Sequence, residues 1–437
     1  MKKLILIAVI AVVFIANCLL PTANCFSQNY CGSSRYDIPV FSNVTVTSNI
    51  VYGQNLDLNN NMKILELDVY EPTSDTAAIR PLIVLAHGGS FISGDKTDML
   101  YIGTEMAKRG YVVASINYRL GLGFPIDSIR AMRAVWRATQ DMKAAVRFFR
   151  KDAATTNTYK IDPNIIFIGG ASAGAIMATH YAYLDQSAEV PSTIDTVALG
   201  GLEGNSGNPG YSSLAKAVVN ICGAIADTCW MKPGDEDMVS LQGNDDNTVP
   251  YCSDNVYLAS FKIMIIHGLG IMAVRSAQIG MTNPNHTFYG QDHSSPGDTI
   301  NVDTTIALAS DFLYMQMGCI PTNTVNYSNT PLCIVNLPNT YSSCLLNPGV
   351  NDIVLNEENV SLYPNPAAEN IMVTLKNVKG KNFSGAVYDI TGRTVSQFNF
   401  SGKEHLIKRN QIQSGIYFLK LNSDAGESFV TKIIFIE

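Results

Sequence analysis

The sequence predicts an α/β fold, a mostly parallel sheet flanked by helices, followed by a small all-β sandwich domain. Three observations carry that expectation. Apolar runs alternate with helix-spaced patterns through most of the chain, one apolar strand runs directly into a glycine-serine turn and a helix, and the last stretch holds short alternating strands with no helix between them. At 437 residues the chain is long for one domain and suits one of about 300 residues plus a smaller one.

The elements follow in order. Lys63 to Tyr70 alternates apolar and polar residues, and Leu82 to Ala86 and Tyr111 to Tyr118 are short apolar runs with a helical stretch from about Asp98 to Arg109 between them. A longer helix is expected from a cap near Asp127 or Ser128, with Ile129, Met132, Val135, Trp136, Met142, Ala145, Val146 and Phe149 recurring every three or four residues on one face. Arg147, Arg150 and Lys151 in its last turns suit the negative end of the helix dipole. The fully apolar Ile165 to Ile168 then reads as a strand buried on both faces, which is the mark of a parallel sheet covered by helices.

Composition narrows the function classes. Hydrophobic residues make up 46% and charged residues 15%, enough apolar material for a full core. The formal net charge of −7 and the lack of clustered Lys and Arg argue against nucleic acid as a partner. Residues 1–27 read as an export signal: Lys2 and Lys3 precede an apolar run from Leu4 to Ile15, and small residues follow around Ala23, Cys25 and Ser27. That run is short for a stable membrane span, and the Asn before both Cys18 and Cys25 favours a cleaved signal over a lipid anchor.

Cleavage leaves Cys31, Cys222, Cys229, Cys252, Cys319, Cys333 and Cys344, an odd set that predicts at least one free thiol in an oxidising compartment. Close spacing suggests Cys222 with Cys229 and Cys333 with Cys344. The spacings of a zinc site are absent, and no metal is expected.

The strand ending at Ile168 leads into Gly170-Ala171-Ser172-Ala173-Gly174 and a helical run from Ala175. In this setting G-x-S-x-G is a nucleophile elbow, whose small residues allow a tight turn that lifts the hydroxyl above the sheet. Upstream, His87-Gly88-Gly89-Ser90-Phe91 follows the strand Leu82 to Ala86. Glycines there let backbone N–H groups approach a developing oxyanion, which assigns the hole to Gly88 or Gly89 together with Ala173. His87 reads as a loop-holding residue.

LIVLAHGGSF, GYVVASINYRLG, WRATQDMKAAVRFFRK and IIFIGGASAG together resemble the bacterial carboxylesterases and lipases with an HGG-type oxyanion loop, within the α/β-hydrolase superfamily, from about Asn43 to about Gly318. The resemblance implies hydrolysis of small-molecule or polymer esters through an acyl-enzyme, with no cofactor. Gly243-Asn244-Asp245-Asp246-Asn247-Thr248-Val249-Pro250 is similar to that family's H-G-x-x-D-x-x-V-P segment and places the acid at Asp246. Gln242 stands where the family has His, which is expected to remove a supporting side chain. The base is expected at His293, in Phe288-Tyr289-Gly290-Gln291-Asp292-His293-Ser294, ahead of His286; His267, after an apolar stretch, reads as structural.

The tail differs. Residues 321–355, rich in Asn, Thr, Ser and Pro, read as a linker after a catalytic domain of residues 28–320. Residues 356–437 carry strand-like runs at Ile371 to Leu375, Ala386 to Ile390, Gly415 to Leu421 and Phe429 to Ile436. With its YPNP opening and its Val387-to-Arg393 turn, this part resembles the C-terminal sorting domain of type IX secretion, which implies that machinery as a partner and a secreted or cell-surface destination. Two other functions remain open from the residues: a serine peptidase of the same superfamily, and a non-catalytic surface-binding protein.

Overall fold

The computed structural model describes residues 30–322 except 259 and 260, then 326–329, 333, 355 and 359–436 except 377, 379, 380, 391 and 425–427. The expected signal peptide, Cys344 and most of the expected linker lie outside the described residues.

An eight-stranded sheet organises the first part. Its strands are β1 (Val44–Leu56), β2 (Met62–Pro72), β3 (Arg80–Ala86), β4 (Val112–Ile116), β5 (Ile161–Ala171), β6 (Ala217–Ile221), β7 (Asp237–Gly243) and, after the hairpin β8 (Ser253–Leu258) and β9 (Phe261–His267), β10 (Asn285–Phe288). The spatial order is β1-β2-β4-β3-β5-β6-β7-β10. β1 and β2 are antiparallel, as are β2 and β4, and each neighbouring pair from β4 to β10 is parallel. Among the described residues five α-helices accompany this sheet: α1 (Leu100–Lys108), α2 (Ser128–Ala154), α3 (Ala173–Tyr183), α4 (Leu269–Ile279) and, after its last strand, α5 (Val302–Gln316).

Alternation along each strand divides the core. Leu82, Val84 and Ala86 of β3 pack with Ile166 and Ile168 of β5 against Met142 and Val146 of α2 and Met177 of α3. The intervening Ile83, Leu85 and Phe167 face Met106 of α1 and Leu308 and Phe312 of α5. Both faces are therefore covered, which is why the central strands are uniformly apolar. Truncating one of these fully buried side chains, as in Leu82→Ala, costs on the order of 2–5 kcal/mol.

The helix expected from Asp127 or Ser128 starts at Ser128, with the Asp127 side chain accepting from the Arg130 N–H. The 184–213 segment is laid along it: Gln140 donates to the carbonyls of Leu199 and Gly201 at 2.7 and 2.8 Å, and Arg147 donates to that of Gly207 at 3.0 Å. The first turn of the expected 98–109 helix is a separate 3-10 turn, Lys96–Met99, capped by Asp95.

The disulfides depart from expectation. Cys31 joins Cys319, Cys252 joins Cys333, and Cys229 is also disulfide-bonded. Cys222 is free and buried, so neither the Cys222–Cys229 nor the Cys333–Cys344 pairing forms. Proximity in sequence failed because the bridges join elements brought together by the sheet, across 288 and 81 residues.

The C-terminal part holds β11 (Val360–Tyr363), β12 (Asn370–Leu375), β13 (Asn382–Tyr388), β14 (Thr394–Ser401), β15 (Glu404–Lys408), β16 (Gly415–Ser423) and β17 (Ser428–Phe435). They form two sheets, β11-β12-β15 and β14-β13-β16-β17, antiparallel throughout. Ile371, Val373, Phe383, Val387, Leu419 and Ile433 fill the space between the sheets.

Candidate active site

The site forms at the carboxyl ends of β3, β5 and β7 and in the loop after β10, the edge where a parallel sheet leaves its loops open. β5 ends one residue before Ser172, which takes φ 54° and ψ −118° and caps α3. That conformation is unfavourable for a residue with a side chain, and here the surroundings hold it. The Ser172 N–H donates to the Ile221 carbonyl at 2.8 Å, and its own carbonyl accepts from Ile176 in the first turn of α3. Gly174 is required by contact: a Cβ there would lie 2.1 Å from the Ala86 carbonyl oxygen.

The Ser172 hydroxyl lies 2.8 Å from His293 Nε2, and His293 Nδ1 lies 2.7 Å from Asp246 Oδ2. A carboxylate only accepts, so the Nδ1 proton donates to Asp246 and Nε2 is left to accept from Ser172. The Asp246 side chain is 0% exposed and that of His293 23%, so the carboxylate is shut away from water while the imidazole remains reachable. Asp246 Oδ1 accepts from the N–H groups of Thr248 and Val249 at 2.9 and 2.8 Å. Asp245, its neighbour, is exposed and accepts from the Asn244 amide at 2.8 Å.

Gln242 corrects the sequence reading. Its side chain was expected to leave the acid without support, yet its Nε2 donates to Asp246 Oδ2 at 3.0 Å and to the Val249 carbonyl at 2.8 Å. The carboxamide itself supplies a donor at this position, which a motif of residue types does not disclose.

The glycine loop closes over the hydroxyl. A Cβ on Gly88 would stand 3.2 Å from Ser172 Cβ and 3.9 Å from its Oγ, so this backbone passes directly beside that hydroxyl. Ala173 is the first residue of α3, and its N–H has no intrahelical acceptor. Gly89, Ser90 and Phe91 all have positive φ, turning the loop sharply back. His87 supports it from below: Nδ1 meets the Gly88 carbonyl at 2.7 Å, and its ring stacks on Tyr118 at 4.4 Å, whose hydroxyl donates to the His87 carbonyl at 2.9 Å. Burial lowers the pKa of the His87 imidazole from its ordinary value.

The other candidate histidines have different surroundings. His286 lies within β10 opposite Leu241, with its ring edge-on to Phe288 at 4.8 Å. His267 ends β9, 2.7 Å from the Ser253 hydroxyl. The Cys222 thiol, which the motifs did not single out, donates to the His293 carbonyl at 3.2 Å, and burial pushes its pKa well up. Cys222, Asp246 and His293 offer ligand atoms within 4.8 Å of one another.

Arg119 and Asp141, both inside the sequence stretches that carried the resemblance, form a buried pair at 2.8 Å. Asp141 also accepts from the Arg119 N–H at 2.8 Å and from the Ser206 hydroxyl at 2.6 Å. These bonds anchor the chain just after Tyr118, and through it the loop that begins at His87.

Residues 67–232 match the BD-FAE family, and residues 361–437 match the secretion system C-terminal sorting domain. A probable isoprenylcysteine alpha-carbonyl methylesterase of Oryza sativa subsp. japonica is 34% identical over 112 residues, 26% of this chain and 23% of the relative. The para-nitrobenzyl esterase of Bacillus subtilis (strain 168) is 30% identical over 115 residues, 26% of this chain and 23% of the relative. The matched part thus spans about a quarter of the length of these curated relatives. Among solved structures, esterase 2 of Thermogutta terrifontis aligns over 64% of this chain and 96% of its own at 22% identity, with a TM-score of 0.46.

The chain joins a BD-FAE domain, of the α/β-hydrolase esterase type, to a type IX sorting domain. The latter implies the secretion machinery as partner and a secreted or cell-surface destination. Among the described residues no helix is long and apolar enough to cross a membrane.

Proposed function

We propose that this protein is a secreted carboxylic ester hydrolase that works through an acyl-enzyme on Ser172, with His293 as base and Asp246 as acid. The observation that carries the reading is the unbroken chain of hydrogen bonds Ser172–His293–Asp246, at 2.8 and 2.7 Å.

His293 Nε2 takes the Ser172 proton as Oγ bonds to the ester carbonyl carbon, and the N–H groups of Ala173 and of Gly88 or Gly89 bind the oxyanion. Collapse breaks the bond to the alkoxy oxygen, which leaves as the alcohol with the proton from His293. Water then attacks the acyl-enzyme while His293 accepts its proton, and Ser172 recovers a proton as the acid departs. Asp246 orients the imidazole and stabilises its charged form without taking the proton. Residues 1–27 act as the export signal, residues 28–320 as the catalytic domain, 321–355 as a linker and 356–437 as the sorting domain.

The test is turnover of esters of rising acyl length, and of a matched anilide, by purified protein lacking residues 1–27. Esters are expected to be cleaved in preference to the anilide, and Ser172→Ala is expected to lower kcat on the order of 10³-fold or more with KM little changed. Preference for the anilide would favour a peptidase, and turnover independent of Ser172 would refute the reading.

A further inference from the structure

We infer that Gln242 is a positioning residue for the acid, and that it makes the hydrogen bonding of Asp246 independent of pH. The inference rests on the proposed function and goes beyond it to a residue outside the Ser-His-Asp set.

Gln242 is fully buried, one residue before the end of β7. Its carboxamide is committed at both ends: Nε2 donates to Asp246 Oδ2 at 3.0 Å and to the Val249 carbonyl at 2.8 Å, while Oε1 accepts from the Leu269 N–H at 3.0 Å. Turning the amide over would set Oε1 against two acceptors and the NH₂ against a donor, so one orientation is fixed. Leu269 is the first residue of α4, and its N–H is one of the groups a helix start leaves without an internal partner. One side chain thereby ties the acid, the turn after it and the start of a helix to β7.

The geometry also bears on charge. Asp246 Oδ2 is shared between His293 Nδ1 at 2.7 Å and Gln242 Nε2 at 3.0 Å. Among the described residues, titratable groups beside this pair include the Cys222 thiol, which donates to the His293 carbonyl at 3.2 Å, and the exposed Asp245 and Asp292 carboxylates next to Asp246 and His293 in the chain. A histidine at 242 would place a further ionising group against the carboxylate. A carboxamide supplies the donor and never changes charge, so the acid keeps the same partners whenever His293 is neutral and ready to act as base.

The experiment compares Gln242→Met, Gln242→Glu and Gln242→His with the unaltered protein, reading kcat, KM, the pH–rate profile and the melting temperature, with Ser172→Ala as control. Gln242→Met, similar in size but without donor or acceptor, is expected to lower kcat about tenfold with KM within about twofold. Gln242→Glu is expected to move the acid limb of kcat upward by about one pH unit, because a second carboxylate beside Asp246 favours the imidazolium. Gln242→His, which restores a donor, is expected to recover most of kcat and to add an ionisation to the acid limb. If the Met and Glu variants only melt earlier, with kcat and the limb unmoved, Gln242 is a structural residue and the inference fails. Retained turnover in Ser172→Ala would instead overturn the reading of the site itself.

Discussion

The large sheet and the small sandwich treat buried polar groups differently. Around β1 to β10 the interior holds Arg119, Asp141, His180, Gln242, Asp246 and Arg275 among apolar residues, whereas within the β11 to β17 sandwich Asn359 alone is polar and buried among the described residues. Backbone strain divides the same way. Ser90, Phe91, Ser172 and Cys222 have positive φ and lie just beyond the carboxyl ends of β3, β5 and β6, while the sandwich has Asn410 as its described non-glycine case. Desolvated charge and strained backbone cost free energy, and they persist where the surrounding contacts hold them for a purpose. Among its described residues the sandwich buries no charged side chain and has Asn410 alone in that backbone region, which suits a domain recognised as an address rather than one that performs chemistry.

The largest expected effect falls on the strained edge. His293→Ala is expected to lower kcat on the order of 10³-fold or more, and Asp246→Asn at least about tenfold but by less, in steady-state assays with an ester. Normal turnover in His293→Ala would move the base elsewhere and separate the strain from the chemistry. Next comes the buried pair: Asp141→Ala leaves the Arg119 guanidinium uncompensated and should cost about 3–5 kcal/mol by denaturant titration. A loss under 1 kcal/mol would show that the loop is held by other contacts.

The acid side of the stability curve gives a smaller effect. Burial lowers the pKa of His180 from its ordinary 6.5 to about 4, so between those values the unfolded chain binds the extra proton. Stability is then fully present above about pH 6.5 and falls as the pH drops, by about 3 kcal/mol at pH 4 from this group alone. A melting temperature flat from pH 7 to 4 would contradict the neutral buried imidazole. At the far end of the scale, truncation after Asn351 should leave ester turnover within about twofold, as should Asp245→Asn. Loss of activity on truncation would make the sandwich part of the enzyme and dissolve the comparison.

Periodicity made the central sheet legible. The apolar run Leu82 to Ala86 and the helix spacing from Ile129 to Phe149 reflect burial on both faces and on one face respectively, and burial is what composition records. β1 was not legible, because most of its side chains face solvent and two register irregularities, after Thr47 and after Val51, break any alternation. In the site, Ser172, Asp246 and His293 could be picked out because each sits at a fixed offset from a glycine or an apolar strand, and all three lie within one hydrogen-bonded chain. The role of Gln242 was hidden, since donor geometry rather than residue type defines it. The Cys31–Cys319 bridge was equally hidden, because a contact across 288 residues exists only once the sheet has formed.

The central claim is that Ser172 carries the acyl group. Rapid quenching of the protein with a slowly hydrolysed ester, followed by peptide mass analysis, reads this directly. An acyl mass increment is expected on the peptide containing Ser172 and none in Ser172→Ala. An increment on another residue, or none at all while turnover continues in Ser172→Ala, would contradict it.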